Sequence, residues 1–164
     1  MHIDYMMTLF EYNFWANQRV RKCSAQCDTE QFVAPVESLS HGSLRGTLTH
    51  ILSAEWVWRM RCQEGISPSR MLKDADFATL DALQQRWQQE EERMRQFVAS
   101  LTADDLQRNV MYTNTRGQAF TSRMDAILGH IVNHGTQFRS EASMILTAWG
   151  HSPGDLDLIF FVRK

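Results

Sequence analysis

The sequence predicts an all-α protein, an up-down four-helix bundle with a small β-hairpin before its last long helix. Apolar residues recur at helical intervals in four long segments, whereas strand-like alternation is confined to short stretches. A chain of 164 residues suffices for one domain, and such a domain buries about 70% of its unfolded surface without a disulfide or structural metal. We therefore predict a single domain over residues 1–164.

The composition disfavours disordered, membrane and nucleic-acid-binding proteins. Hydrophobic residues make up 43% and charged residues 22% of the chain, close to the globular average. The net charge is −2, and Lys and Arg are too scattered to form a basic stripe for phosphates. No apolar run approaches the roughly 20 residues of a membrane span, and the first residues lack the features of a secretion signal. Three cysteines, an odd number, indicate free thiols and a cytoplasmic location.

The first two long helices are predicted from end signals and apolar periodicity. Helix one covers residues 4–27, with Asp4 as a good N-cap. Residues 28–42 contain a proline and read as a connection. Helix two covers residues 44–61 and stops near Gly65.

The third helix and the hairpin follow a long crossover. Residues 67–78 contain a proline and mixed polar residues, so helix three is expected to start after Thr79. Residues 110–112 and 119–121 have the pattern of two short strands around a turn at Gly117. We predict a small β-hairpin there.

Helix four has the strongest apolar periodicity in the chain. Ser122 with Asp125 resembles a capping box at its start, and Gly150 marks its end. The tail over residues 151–164 ends in an apolar run. We expect this run to be strand-like or to pack across the end of the bundle.

Three of the six histidines fall in predicted helices, and these three are the candidate metal ligands. His130 and His134 are four residues apart, so they share one helix face with Cβ atoms about 5–6 Å apart and can point at one metal ion. His50, on helix two, is the candidate third ligand of a site with open coordination positions. Spacing alone does not select His50, and histidines at the edge of a core are common without any metal. The remaining histidines, which we expect to be terminal or loop residues without a function, are His2, His41 and His151.

Five segments of the chain resemble the DinB family, part of the wider DinB/YfiT-like group of metalloproteins. The resemblance covers nearly the whole chain and rests on the order and spacing of YMMTLFEYNFWANQRV, SLRGTLTHILSAEWVW, YTNTRGQAFT, HIVNHGTQFRSEASMILTAWG and DLDLIFF. It implies an up-down bundle with a long crossover, a homodimer, and three histidines that bind a divalent ion. Zinc or nickel is expected first, and iron, manganese or copper are alternatives. Relatives in the wider group are thiol S-transferases and a mycothiol-dependent isomerase, which implies a small-molecule or low-molecular-weight thiol substrate.

One position departs from the family pattern. The family's last helix often reads H-x-x-x-H-x-x-x-H-R, and its second and third histidines, the usual ligand pair, correspond here to His134 and Phe138. Arg139 still matches. Three arrangements stay open: an ion held by His50, His134 and a shifted His130, which we favour; an ion held by two histidines and water at lower affinity; or an empty site packed by Phe138.

Two functions follow from these alternatives. The first is a metal-dependent enzyme of the thiol S-transferase or hydrolase type, in which the ion activates a bound thiol or water. The second is a non-catalytic dimeric stress-response or small-molecule-binding bundle with a degenerate metal site. Further side chains that can line a pocket, although ordinary packing is the favoured interpretation of the aromatic ones, are Tyr12, Asn13, Trp15, Asn17 and Trp56.

Overall fold

The computed structural model describes residues 2–163 and confirms a helical bundle with a small antiparallel hairpin. In chain order its helices are α1 (Ile3–Ser24), α2 (Thr29–Val33), α3 (Leu44–Arg59), α4 (Leu80–Ala99), α5 (Met124–Ala148) and α6 (Leu158–Val162). The strands are β1 (Asn109–Thr113) and β2 (Ala119–Arg123), which pair antiparallel between α4 and α5. The long helices α1, α3, α4 and α5 form the bundle.

The ends of α1 and α3 differ slightly from the prediction. The N-cap of α1 is His2 rather than Asp4, which lies in the first turn, where a negative charge favours the helix dipole. After α3, one π-helical turn (Met60–Glu64) continues the chain to Gly65. This glycine adopts a left-handed conformation with φ of 68° and ends the helix where the sequence predicted.

The connection after α1 contains a helix that periodicity did not predict. Asp28 accepts a hydrogen bond from the backbone N–H of Gln31, and the Gln31 side chain accepts one from the backbone N–H of Asp28. This reciprocal capping stabilises the short helix α2. A five-residue helix is too short to leave an apolar period in the sequence.

The predicted capping box of the last long helix is wrong. Ser122 lies in β2 opposite Val110, and its hydroxyl is 3.3 Å from that of Tyr112. Helix α5 therefore starts after Arg123 without a side-chain cap. Ser122 belongs to the hairpin because β2 extends two residues further than predicted.

The tail folds as helix α6 rather than as a strand. Phe161 of this helix packs on Tyr12 and Trp15 of α1, with ring centroids 6.1 and 5.6 Å apart. The expectation that the tail packs against the bundle is thus confirmed. The strand-like alternative is wrong because the apolar residues anchor a single helical turn.

The crossover over residues 65–79 makes α3 and α4 run in the same direction. Glu55 of α3 accepts a hydrogen bond from Trp87 of α4, and Arg59 pairs with Glu90 one turn further along both helices. The helices α1 and α5 run opposite to this pair, with α5 between α1 and α3. The direction of the four helices is therefore up, down, down, up.

The core consists of two apolar clusters, one toward each end of the bundle. One is built on residues such as Phe10, Phe14, Met94 and Leu128, and the other on residues such as Val20, Leu48, Trp87 and Leu146. Buried polar side chains such as Asn13, Glu55 and Arg139 lie between the two clusters. Within residues 2–163, no helix is both long enough and apolar enough to cross a membrane.

Candidate metal centre

Helices α3 and α5 bring His50 and His134 together in the middle of the bundle. The side chain of Ser43 caps α3 by accepting a hydrogen bond from the N–H of Gly46 at 3.0 Å, which fixes the start of the helix seven residues before His50. The Nε2 atoms of His50 and His134 are 3.0 Å apart, and their ring centroids are 4.8 Å apart. The convergence of these two predicted residues is what a shared metal ion requires.

Both imidazoles are neutral at physiological pH. Burial lowers the pKa of His50 to about 4, with His41 adding to the effect. Burial also lowers the pKa of His134 to about 3, with His50 as the next contribution. One Nε2–H can then donate to the lone pair of the other ring, and both nitrogens can present lone pairs if the protons move to Nδ1.

The spacing of the two nitrogens fits a metal ion. Imidazole nitrogens bind such ions at about 2.1 Å, so two of them on one ion lie about 3.0 Å apart at a right angle and about 3.4 Å apart at a tetrahedral angle. The observed 3.0 Å separation falls in this range. His50 and His134 therefore fit two adjacent ligand positions of one ion.

Two other rings surround the histidine pair. Phe138, one turn after His134 on α5, has its ring centroid 4.5 Å from that of His50 and 4.6 Å from that of His134. His41, in the loop before α3, stacks on His50 with centroids 3.7 Å apart and an angle of 24° between the planes. His41 was expected to be a loop histidine without a function, and its position here was not predictable because a loop residue has no helical periodicity.

His130 lies beside the pair but faces a different neighbour. Its ring centroid is 5.5 Å from that of His134 and 5.5 Å from that of Trp58, on which it packs edge to face. Among the described residues, no three His, Cys, Asp or Glu side chains are grouped to hold an ion. Ligation by His130 stays a prediction that needs its side chain to turn away from Trp58.

Sequence comparison with known proteins identifies the family of this chain. The sequence matches the DinB family over residues 2–164. This chain belongs to the DinB family. It is also 24% identical to Protein DinB of Bacillus subtilis (strain 168), in an alignment of 173 residues that covers 98% of this chain and 96% of that protein.

A buried polar network in this DinB-family chain lies next to the histidine pair. Glu55 accepts hydrogen bonds from the side-chain amides of Asn13 and Asn17 at 2.7 and 2.8 Å, and from the indole N–H of Trp87 at 3.0 Å. Arg139 donates to the amide oxygens of the same two asparagines. The network therefore joins all four long helices.

The network shows what two of the sequence-predicted pocket residues do. Asn13 and Asn17 are fully buried and hold Glu55 rather than line a cavity. Gly135 makes room for the network, because a Cβ atom there would lie 2.5 Å from the Arg139 guanidinium and 2.7 Å from the Asn13 amide oxygen. Sequence reasoning did not identify Glu55, although a carboxylate among apolar residues of a helix was the available signal.

Proposed function

We propose that this DinB-family chain binds a divalent metal ion through His50 and His134 and acts as a metal-dependent enzyme of the thiol S-transferase or hydrolase type. The observation that carries the proposal is the 3.0 Å separation of the two Nε2 atoms. The low pKa values of both rings support it, because a neutral imidazole offers a lone pair without first losing a proton. Imidazole ligands suit zinc, nickel, copper or iron(II).

An ion held by His50 and His134 would have coordination positions for a ligand from solution. A bound ion of this kind supplies Lewis acidity, which lowers the pKa of a thiol or water molecule. Within residues 2–163 two imidazole nitrogens converge, so an ion held by them would keep further coordination positions open. His41 covers one face of His50 and fixes its ring orientation by stacking. A homodimer and a low-molecular-weight thiol as substrate stay predictions.

A specific observation favours the second function, a non-catalytic bundle with a degenerate metal site. The ring of Phe138 packs against both His50 and His134, in a place from which an imidazole would reach the same ion. In a bundle of this kind, the hydrogen bond between His50 and His134 only stabilises the packing of α3 on α5. The two functions differ in whether the purified protein carries a metal.

Metal analysis of protein purified without a His-tag distinguishes them. We expect about one equivalent of metal in the wild type and none in His50→Ala or His134→Ala, because a single remaining imidazole binds too weakly. His2→Ala is the matched control, since this exposed terminal histidine lies outside the site. A wild-type protein that takes up no zinc or nickel when dialysed against either would refute the proposal and support the non-catalytic bundle.

A second pair of variants identifies the third ligand. If His130 turns toward the ion, His130→Ala weakens metal binding about as strongly as loss of either member of the pair. If the site has two protein ligands, Phe138→His instead tightens binding by about tenfold or more, which corresponds to at least about 1.4 kcal/mol. Competition with a coloured chelator measures both affinities. An unchanged affinity in both variants would show that neither position takes part.

A further inference from the structure

An open cavity of about 220 Å³ lies where the β-hairpin meets helices α3 and α5. Its lining is mainly aromatic and aliphatic, and it consists of Trp58, Tyr112, Ser122, Ala126, Ile127 and His130. An apolar cavity of about 150 Å³ is large enough to bind benzene. The volume is therefore sufficient for one aromatic ring.

Trp58 is the centre of the aromatic wall of this cavity. The Tyr112 ring stands at 75° to it with the centroids 4.9 Å apart, and the His130 ring also stands at 75° with the centroids 5.5 Å apart. Trp58 and Tyr112 are half-buried and His130 is exposed, so a molecule from solution can reach all three rings. Because aromatic pairs prefer edge-to-face or offset packing at centroid distances of about 4.5–7 Å, a further ring can join this cluster favourably.

The charge around the cavity disfavours a cationic ligand. The guanidinium carbon of Arg61 lies 4.5 Å from the centroid of the Trp58 ring and 5.0 Å from that of Tyr112, so a cation already packs on these rings. Within residues 2–163 no Asp or Glu lines the cavity, and the carboxylate of Asp125, at the start of α5, pairs with Arg123 at 3.1 Å. A second cation would meet repulsion without a compensating carboxylate. The cavity therefore suits an uncharged or anionic aromatic molecule.

The cavity and the histidine pair lie along the same groove. Helices α3 and α5 are in contact at the cavity through Trp58 and His130, and at the pair through His50 and His134. Along α5, Ile127 precedes His134 by seven residues, which at 1.5 Å per residue places the cavity about 10 Å from the pair. His130 lies between them, with its ring centroid 5.5 Å from that of His134. A molecule of moderate length in the groove thus reaches both.

We propose that this cavity binds the aromatic ring of an uncharged or anionic small molecule and directs the rest of that molecule along the groove toward His50 and His134. Binding of the ring needs no metal ion. That the molecule is the substrate, with its thiol or hydrolysable group on the ion, rests on the proposed function. Zinc binds sulfur at about 2.3 Å, so a ring in the cavity and a sulfur on the ion would be about 8 Å apart.

Titration of the full chain, freed of metal on a chelating resin, with benzyl alcohol tests the ring site. Heteronuclear NMR is expected to show saturable shifts at the indole N–H of Trp58. Cyclohexylmethanol, which matches benzyl alcohol in size but has no aromatic ring, is expected to bind at least about threefold more weakly. Benzylamine, which is cationic at neutral pH, is also expected to bind more weakly than benzyl alcohol. Equal binding of benzyl alcohol and cyclohexylmethanol would overturn the proposal, as would tighter binding of benzylamine or an absence of saturable shifts.

Two variants and a matched control locate the ring site. Trp58→Leu removes the central ring and is expected to weaken binding of benzyl alcohol about tenfold. Ala126→Leu adds side-chain volume at an exposed lining position, so it is expected to weaken binding by a similar factor without disturbing the core. Trp56→Leu is the control, because Trp56 is a half-buried tryptophan of the same helix that lies outside the cavity lining. Equal effects of the two tryptophan variants, or no effect of Ala126→Leu, would overturn the assignment.

A ligand with a metal-binding tail tests the link to the ion separately. In protein loaded with zinc, 4-phenylbutane-1-thiol, whose chain of four carbon atoms spans about 8 Å from ring to sulfur, is expected to bind at least about tenfold more tightly than 4-phenylbutan-1-ol. In metal-free protein the two are expected to bind alike. Equal binding of the thiol and the alcohol to zinc-loaded protein would overturn the path to the ion. A protein that takes up no zinc but still binds benzyl alcohol would refute the proposed function and leave the ring site standing.

Discussion

Replacement of Arg139 by methionine is expected to lower the free energy of unfolding by about 3 to 5 kcal/mol, a large part of the stability of a domain this size. The guanidinium is 2% exposed and donates to the amide oxygens of Asn13 and Asn17. Methionine fills a similar volume but leaves both oxygens without these donors. It also leaves the buried Glu55 carboxylate without its nearest cation.

A second substitution tests whether the network is the cause. Burial already raises the pKa of Glu55, opposed by its hydrogen bonds and by Arg139. Glu55→Gln removes the negative charge, so we expect it to restore part of the stability when combined with Arg139→Met. Urea unfolding of the single and double variants measures both effects. Arg116→Met, in the exposed hairpin turn, is the control and should change stability by less than about 0.5 kcal/mol. A loss below about 1 kcal/mol for Arg139→Met would contradict the role given to the network.

Acid is expected to destabilise the metal-free protein through the histidine pair. In the unfolded chain both rings titrate near 6.5, whereas in the folded protein the pKa of His50 is about 4 and that of His134 is about 3. Between pH 6.5 and these lower pKa values the unfolded state binds more protons than the folded state. The contribution of the histidine pair to stability is therefore fully present above pH 6.5 and is lost as the pH falls from 6.5 toward 3. After allowance for partial solvent screening, each histidine contributes about 1 kcal/mol per pH unit.

The expected result is a fall of about 2 to 4 kcal/mol in the free energy of unfolding between pH 6.5 and 4.5. Denaturant unfolding at a series of pH values measures it. A His50→Gln and His134→Gln double variant keeps the size and polarity of the site without the titrating groups, so its stability should fall much less. Equal pH dependence in both proteins would show that other groups, such as carboxylates, control the acid response.

The sequence predicted the bundle because long amphipathic helices carry a regular apolar period. The features that it missed are short or non-local. Helix α2 depends on one reciprocal cap at Asp28. Ser122 could serve as a helix cap or as a strand residue, and the register of the hairpin decides that it belongs to β2. The parallel direction of α3 and α4, by contrast, follows from the long crossover that the sequence predicted, and contacts such as that of Trp87 with Glu55 stabilise it.

The candidate site was predictable only in part, because some of the contacts that form it join residues far apart in the sequence. The sequence selected His50 and His134 among six histidines, and their rings do converge. It also placed His130 in the ligand set from spacing, but spacing does not show that Trp58 offers that ring a packing surface. His41 reaches the site through a loop that is fixed by bonds from Ser40 to Glu141, which lies one hundred and one residues further along the chain.

The central claim is that the Nε2 atoms of His50 and His134 share one metal ion. A crystal grown with zinc or nickel, with diffraction data collected on both sides of the metal's absorption edge, tests it most directly. The account predicts an anomalous peak at about 2.1 Å from both nitrogen atoms. An anomalous map without a peak there, with the two rings still hydrogen-bonded to each other, would contradict it.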